Sequence, residues 1–171
     1  MKSFFKTVLL TGLLVGVTDL TAAYVSQFIK TGKFADKMLY YIAGGALGLG
    51  TSMQGGFWVG VLGLFFHFFI AFSFTLLFFL VFPSLKFMRY NKYITGFLYG
   101  PFVGMVMTFI ILPFTKLPQG EFKLQGALIG WSVLGVVLGI PIAINADWYY
   151  RKKGSFAISD NQLRANHPAQ H

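Results

Sequence analysis

No cysteine occurs among the 171 residues, which excludes disulfide scaffolds, zinc ribbons, thiol nucleophiles and iron–sulfur ligation. Acidic residues are nearly as scarce, with 5 Asp and Glu against 14 Lys and Arg. Charged residues of both signs make up 11% of the chain, far below the share of about a quarter found in soluble domains. Catalytic motifs are missing too: there is no Walker loop, no Gly-x-Ser-x-Gly, no His-Glu-x-x-His and no pair of carboxylates spaced for one helix face. The many Gly-xxx-Gly pairs lie inside apolar runs and follow no strand, so a dinucleotide fingerprint is excluded by context. No cofactor is expected.

What is present in excess is apolar. Hydrophobic residues make up 56% and aromatics 19%, with 21 Phe, and the mean hydropathy is +0.66. A chain this apolar cannot stay solvated, so disorder is excluded for most of its length. The composition implies a small polytopic membrane protein whose first partner is the lipid bilayer. The net charge of +9 fits that class. Lys2, Lys6, Lys30, Lys33, Lys37, Lys86, Arg89, Lys92, Lys116, Lys123, Arg151, Lys152 and Lys153 all lie between or beside apolar runs, where anionic headgroups are the natural counter-charge. Nucleic-acid binding needs such charge gathered on one soluble face, so no nucleic-acid partner is expected.

A helix crosses a hydrocarbon core about 30 Å thick with about 20 apolar residues. Four stretches qualify: Thr7 to Phe28, Gly56 to Phe82, Ile94 to Thr115 and Gln125 to Ala146. Their ends carry Pro83-Ser84, Pro118-Gln119-Gly120, and Trp148-Tyr149-Tyr150 as an interfacial belt before Arg151-Lys152-Lys153. The start, Met1 to Lys6 followed by Thr7 to Val17, has the shape of a signal peptide with a weak cleavage site after Ala23. Asp19 interrupts its apolar region, and the later spans make cleavage unnecessary, so it is read as a retained span. Met38 to Met53 is apolar and Gly-rich but only 16 residues long, and almost no loop separates it from the next span. It is read as an interfacial or re-entrant helix, with a fifth span as the alternative.

With four spans, Lys2, Lys6, Lys86, Arg89, Lys92, Arg151, Lys152 and Lys153 share one side, eight against the five of Lys30, Lys33, Lys37, Lys116 and Lys123. The positive-inside rule then places both termini in the cytoplasm. Five spans would sharpen the bias to nine against four and put the N-terminus outside. The expected fold is all-α, a bundle of four transmembrane helices forming one domain over residues 1–153. A polar tail over 154–171 has no periodic apolar face and is expected to be disordered.

Small residues form stripes at helical spacing. Gly12, Gly16, Asp19, Ala23 and Ser26 share a face of the first span, and Gly56, Gly60, Gly63, His67, Ala71 and Thr75 a face of the second. Gly96, Gly100 and Gly104 mark the third span; Gly126, Gly130, Gly135 and Gly139 mark the fourth. In lipid such stripes let backbones approach closely, so each is expected to mark a helix–helix seam. A Phe-rich surface of Phe65, Phe66, Phe68, Phe69 and Phe72 faces acyl chains or neighbouring helices.

Asp19 and His67 lie within these stripes. Asp19 is nine residues from Phe28 and His67 eleven from Gly56, depths of about 14 and 16 Å below one interface at 1.5 Å per residue. They are the acid and base nearest mid-membrane, and antiparallel packing would let them meet. One reading is a buried pair that fixes helix register, assisted by Thr18, Thr21 or Tyr24. The other is a site that handles protons or binds a ligand. A single His and Asp are too few for a metal site, since His167 and His171 lie in the tail. Pro101, Pro113 and Pro141 read as packing and punctuation, with helix opening as the alternative. Asp147 stands four residues before Arg151, which suggests a local ion pair. Trp58 and Trp148 read as interface anchors and Trp131 as a deeper residue lining the bundle.

Several segments carry a family resemblance. His67-Phe68-Phe69-Ile70-Ala71-Phe72, Val81-Phe82-Pro83-Ser84-Leu85-Lys86, the Gly-rich run from Gly96 through Tyr99-Gly100, and Leu112-Pro113-Phe114-Thr115-Lys116-Leu117-Pro118 resemble the YagU-like bacterial inner-membrane proteins. Gly16-Val17-Thr18-Asp19 and Tyr41-Ile42-Ala43-Gly44-Gly45 are similar to related bacterial sequences. The resemblance covers roughly residues 12 to 153. It implies a helical bundle in the bacterial inner membrane and brings no reaction with it. The leading expectation is therefore a non-enzymatic integral membrane protein linked to proton or envelope homeostasis through Asp19 and His67. The alternatives are a small oligomeric transporter or channel subunit, an intramembrane lipid-modifying enzyme with His67 as base, and an accessory subunit of a larger membrane complex.

Overall fold

The computed structural model describes residues 2–84, 91–118 and 122–152. Lys86, Arg89, Lys153 and the polar tail lie outside the described residues. Four helical segments are long and apolar enough to cross a membrane: Ser3–Thr31, Phe57–Val81, Lys92–Phe114 and Leu124–Lys152. The first is a single helix, α1 (Lys2–Thr31), running unbroken through Ala23. Its last turn carries Lys30, and that of the last span carries Arg151 and Lys152. Cations there complement the negative helix C-terminus while reaching the headgroup layer, which carries both helices beyond their apolar cores.

The short apolar stretch is not a span. It forms α2 (Met38–Leu47) and α3 (Leu49–Met53), broken at Gly48, whose φ of 85° suits glycine. The 10 residues of α2 reach about 15 Å, half the hydrocarbon thickness. α2 packs along the beginning of α4 (Phe57–Val81). There a Cβ on Gly63 would collide with the Leu39 carbonyl, and one on Gly60 would lie 3.7 Å from the Tyr40 ring. The Lys116 amide donates to Gly45 O at 2.9 Å, tying the broken helix to the end of the third span.

The third span opens with Asn91, whose side chain accepts from the amides of Tyr93 and Ile94 at 3.0 and 3.2 Å, a standard N-cap. α5 (Lys92–Val106) then widens into a π turn (Met107–Ile111) and closes in a 3₁₀ turn (Leu112–Phe114). The fourth span repeats the device: α6 (Leu124–Leu134), a π turn (Gly135–Gly139) and α7 (Ile140–Lys152). Pro113 and Pro141 follow the two π turns closely. Proline offers no N–H to the carbonyl four residues back and crowds it, and a wider turn accommodates both defects. These two prolines therefore reshape the spans as well as punctuating them.

Glycine makes the tightest seam. A Cβ on Gly100 would fall on the backbone of Gly135, one on Gly96 would lie 2.7 Å from Gly139 O, and one on Gly139 would fall on Gly96 O. Gly104 is covered by the Trp131 indole, and on α1 Gly12 and Gly16 lie under Phe72 and Phe68 of α4. Gly56 differs from the expected pattern. It caps α4 with extended backbone, and a Cβ there meets nothing within 4 Å, because the chain is still turning into the helix at that point.

Packing is uneven along the bundle. Phe78, Phe79, Phe82, Tyr99, Ile142, Ala143, Ala146 and Tyr149 form a dense core with Val8 and Val15. Phe4 meets Phe79 and Tyr149 edge-on at 6.1 and 5.7 Å, so α1 begins and α7 ends on the same face of the bundle. Two phenols lock this half, Tyr99 donating to Phe74 O at 2.7 Å and Tyr150 to Phe79 O at 2.6 Å. Towards the opposite face α6 contributes no buried residue, and Leu124, Leu128, Ile129 and Val133 lie exposed where acyl chains would cover them.

Candidate functional site

The boundary between the packed and open halves falls at Asp19 and His67. Glycine at positions 12 and 16 lets α4 lie close on α1, and without a Cβ the Gly16 carbonyl is left accessible from that side. His67 on α4 uses it: Nε2 lies 2.8 Å from Gly16 O. A carbonyl only accepts, so Nε2 carries the hydrogen, and in the neutral ring Nδ1 is the basic nitrogen. The imidazole is thus fixed by backbone, one helical turn before the acid it was expected to meet.

Asp19 is half-buried and within electrostatic reach of His67. Its carboxylate makes no hydrogen bond or ion pair with another described residue. It opens instead into a cavity of about 760 Å³ between the later part of α1, the π turn of the third span and α6. Ala22, Ala23 and Ser26 continue the α1 wall, Thr108, Phe109 and Trp131 face them, and Lys30, Tyr41 and Lys123 also line the space. Lys30 is eleven residues beyond Asp19, about 16 Å along the helix. The cavity therefore runs from a carboxylate at the level of the packed core to two lysines near the opposite face. Trp131 lines it, as the sequence suggested, whereas Trp58 and Trp148 are 79% and 56% exposed.

A hydroxyl holds the inner end together. Thr18 Oγ1 donates to Val15 O in its own helix and to Val137 O across the bundle, each at 3.0 Å. Val137 lies in the π turn four residues before Pro141, which has no N–H to offer it, and a side chain next to Asp19 supplies a donor there. No spacing pattern in the sequence marks this pairing. The Gly-xxx-Gly runs indicate close approach without naming the partner.

At the face where the chain begins and ends, Asp147 is 4% exposed. It accepts from Arg151 Nε at 2.7 Å and Lys92 Nζ at 3.3 Å. The Arg151 pair is the local one read from the sequence; Lys92, which joins α5 to α7, is not visible there. Asn145 Nδ2 donates to Pro141 O at 2.8 Å, a second donor to that carbonyl within α7. Among the described residues no group of three or more His, Cys, Asp or Glu side chains gathers to hold a metal. Comparison with protein-family models, curated proteins and solved structures yields no match to this chain.

Proposed function

We propose that this integral membrane protein resides in a bacterial inner membrane with both termini cytoplasmic, and that it handles protons at Asp19 and His67. The observation that carries the reading is the Asp19 carboxylate, without a hydrogen-bond or ion-pair partner among the described residues and open to the cavity, beside an imidazole held by Gly16 O with Nδ1 left as its basic nitrogen. Ionisable groups at such depth are costly unless they face a cavity or each other, and they mark ion or proton pathways. The cavity supplies a route from one face, and the aromatic core beyond it blocks a continuous wet path. Transfer across the membrane therefore requires the bundle to open at that core. The location is supported by the excess of Lys and Arg on the side of the termini and by the resemblance to YagU-like proteins.

Reconstituted vesicles containing a pH-sensitive dye test this directly. Under an imposed gradient the wild type is expected to change the internal pH, and Asp19→Asn or His67→Gln to abolish the change while retaining helicity. No flux in the wild type, with both variants merely less stable, makes the pair structural. A second reading, a small oligomeric transporter or channel subunit, draws on the size of the cavity and on α6, where Gly126 and Gly130 meet nothing within 4 Å. Concentration-independent monomers in detergent would count against it.

A further inference from the structure

A second cavity, of about 610 Å³, lies at the other end of the bundle, between the start of α1 and the end of α7. Its polar end carries Lys6 and Lys152, and its floor carries Leu10 and Leu14. Among the described residues neither lysine meets a carboxylate, since Asp147 is occupied by Lys92 and Arg151. The Lys152 ammonium sits 4.9 Å from the centre of the Trp148 ring, which fixes it at the groove wall. Between the charged end and the apolar floor stands Thr11. It is 3% exposed, lines the groove and makes no hydrogen bond to another described residue. The residue is packed in while its hydroxyl stays accessible from the groove, where it faces space that a ligand can fill.

We propose that this groove binds one anionic glycerophospholipid. The phosphate sits between Lys6 and Lys152, an ester carbonyl accepts from the Thr11 hydroxyl, and an acyl chain lies along Leu10 and Leu14. Lys6 to Leu14 spans about 12 Å along the helix, an order of polar, intermediate and apolar surface that follows a phospholipid from headgroup to chain. A free phosphate would satisfy the lysines but leave Thr11 and the leucine floor uncovered. Basic pockets between transmembrane helices recognise anionic headgroups by this charge pairing. The assignment does not rest on the proton reading of Asp19 and His67.

The test uses the full chain with Trp58→Phe and Trp131→Phe, so that Trp148 alone fluoresces. It is placed in phosphatidylcholine vesicles in which a minor lipid, phosphatidylglycerol or phosphatidylcholine, carries brominated chains. Brominated phosphatidylglycerol is expected to quench Trp148 beyond its share of the lipid, and brominated phosphatidylcholine in proportion to it. Lys6→Ala and Lys152→Ala each lower the relative binding constant about fivefold, the factor equivalent to about 1 kcal/mol per basic residue. Each variant is compared with its own unbrominated control, because Lys152→Ala also removes the charge over the indole. Lys33→Ala, exposed beyond the far end of α1, leaves the ratio unchanged. If the tryptophan replacements impair folding, native mass spectrometry of the unaltered chain replaces them, with one anionic lipid retained and then lost in the double lysine variant. Equal quenching by the two lipids, enrichment that survives loss of both lysines, or displacement by inorganic phosphate would each overturn the proposal.

Discussion

Replacing Thr18 by Val removes one hydroxyl and keeps the side-chain shape. In the wild type that hydroxyl is shared between Val15 O and Val137 O, each at 3.0 Å. The intrahelical acceptor matters little, because the α1 backbone already provides for Val15 O. The carbonyl of Val137 is different, since position 141 is proline and has no N–H to offer. Interhelical hydrogen bonds in membranes contribute about 0.6 kcal/mol on average and up to about 1.7, and a polar group stripped of its partner costs about 1–3 kcal/mol. Val137 is half-buried, so Thr18→Val is expected to destabilise by about 1–1.5 kcal/mol, roughly a tenfold change in the folding equilibrium at the upper figure.

Pro141→Ala supplies the control, since it returns an amide hydrogen to Val137 O. In that background Thr18→Val is expected to cost about 1 kcal/mol less than in the wild type, a coupling within the usual range for groups in contact. Thr18→Ser, which keeps the donor, recovers most of the stability. Reversible unfolding in mixed micelles of rising dodecyl sulfate content, followed by circular dichroism and tryptophan fluorescence, measures all four corners of the cycle. A Thr18→Val protein as stable as the wild type, or an equal cost with Pro and Ala at 141, refutes the account of the hydroxyl as a stand-in for the missing amide.

The glycine seam gives a sharper contrast by the same assay. Gly100→Leu drives side-chain atoms into the Gly135 backbone and is expected to lose more than about 2 kcal/mol or to misfold, whereas Gly126→Ala, which meets open space, is neutral or slightly stabilising; equal effects would show that the seam is looser than described. Asp147→Asn removes the acceptor shared by Lys92 and Arg151 and leaves their charge uncompensated, which is expected to cost about 2–3 kcal/mol, below the range for a wholly buried pair because the Arg151 side chain is 66% exposed. Arg151→Ala alone, the loss of an exposed i,i+4 pair, is expected to cost about 0.5 kcal/mol or less, and a reversed order would assign the junction to Arg151 instead of Lys92.

Hydropathy and helical spacing were sufficient to read four spans and one short apolar helix, because lipid requires every spanning backbone to satisfy itself internally. Glycine spacing marked several close-packed faces, but Gly126 and Gly130, expected in a seam, meet nothing within 4 Å. It did not reveal which faces meet, since a stripe on one helix carries no label for its neighbour. Gly96, Gly100, Gly135 and Gly139 turn out to face one another, while Gly56 caps a helix. The site was legible in the same partial way. Asp19 and His67 stand out by charge in an apolar run, yet the hydrogen bond that fixes His67 goes to a backbone carbonyl, and every residue has one of those. Lys92 and Thr11 were hidden for a related reason. Lys92 reaches Asp147 on another helix and Thr11 lines a groove between α1 and α7, and local sequence records only what lies within a few turns on one helix.

Backbone defects and the cavity fall together, and the connection is physical. Wherever proline or a π turn interrupts a span, carbonyls lose their regular partners and neighbouring side chains or water must replace them. At the π turn of the fourth span, Thr18 performs that task and holds α1 against the bundle just before Asp19. At the π turn of the third span, Met107 and Thr108 border the cavity into which the carboxylate opens. The closed half is filled by interlocked aromatics and phenol hydrogen bonds, and its cavity lies at the outer end, between the start of α1 and the end of α7. A helix that is regular on one side of Asp19 and faces irregular partners on the other can shift at one end while the other stays packed. On the proposed reading, neutralising the Asp19 carboxylate at that boundary would act first on the open half, where the cavity lies.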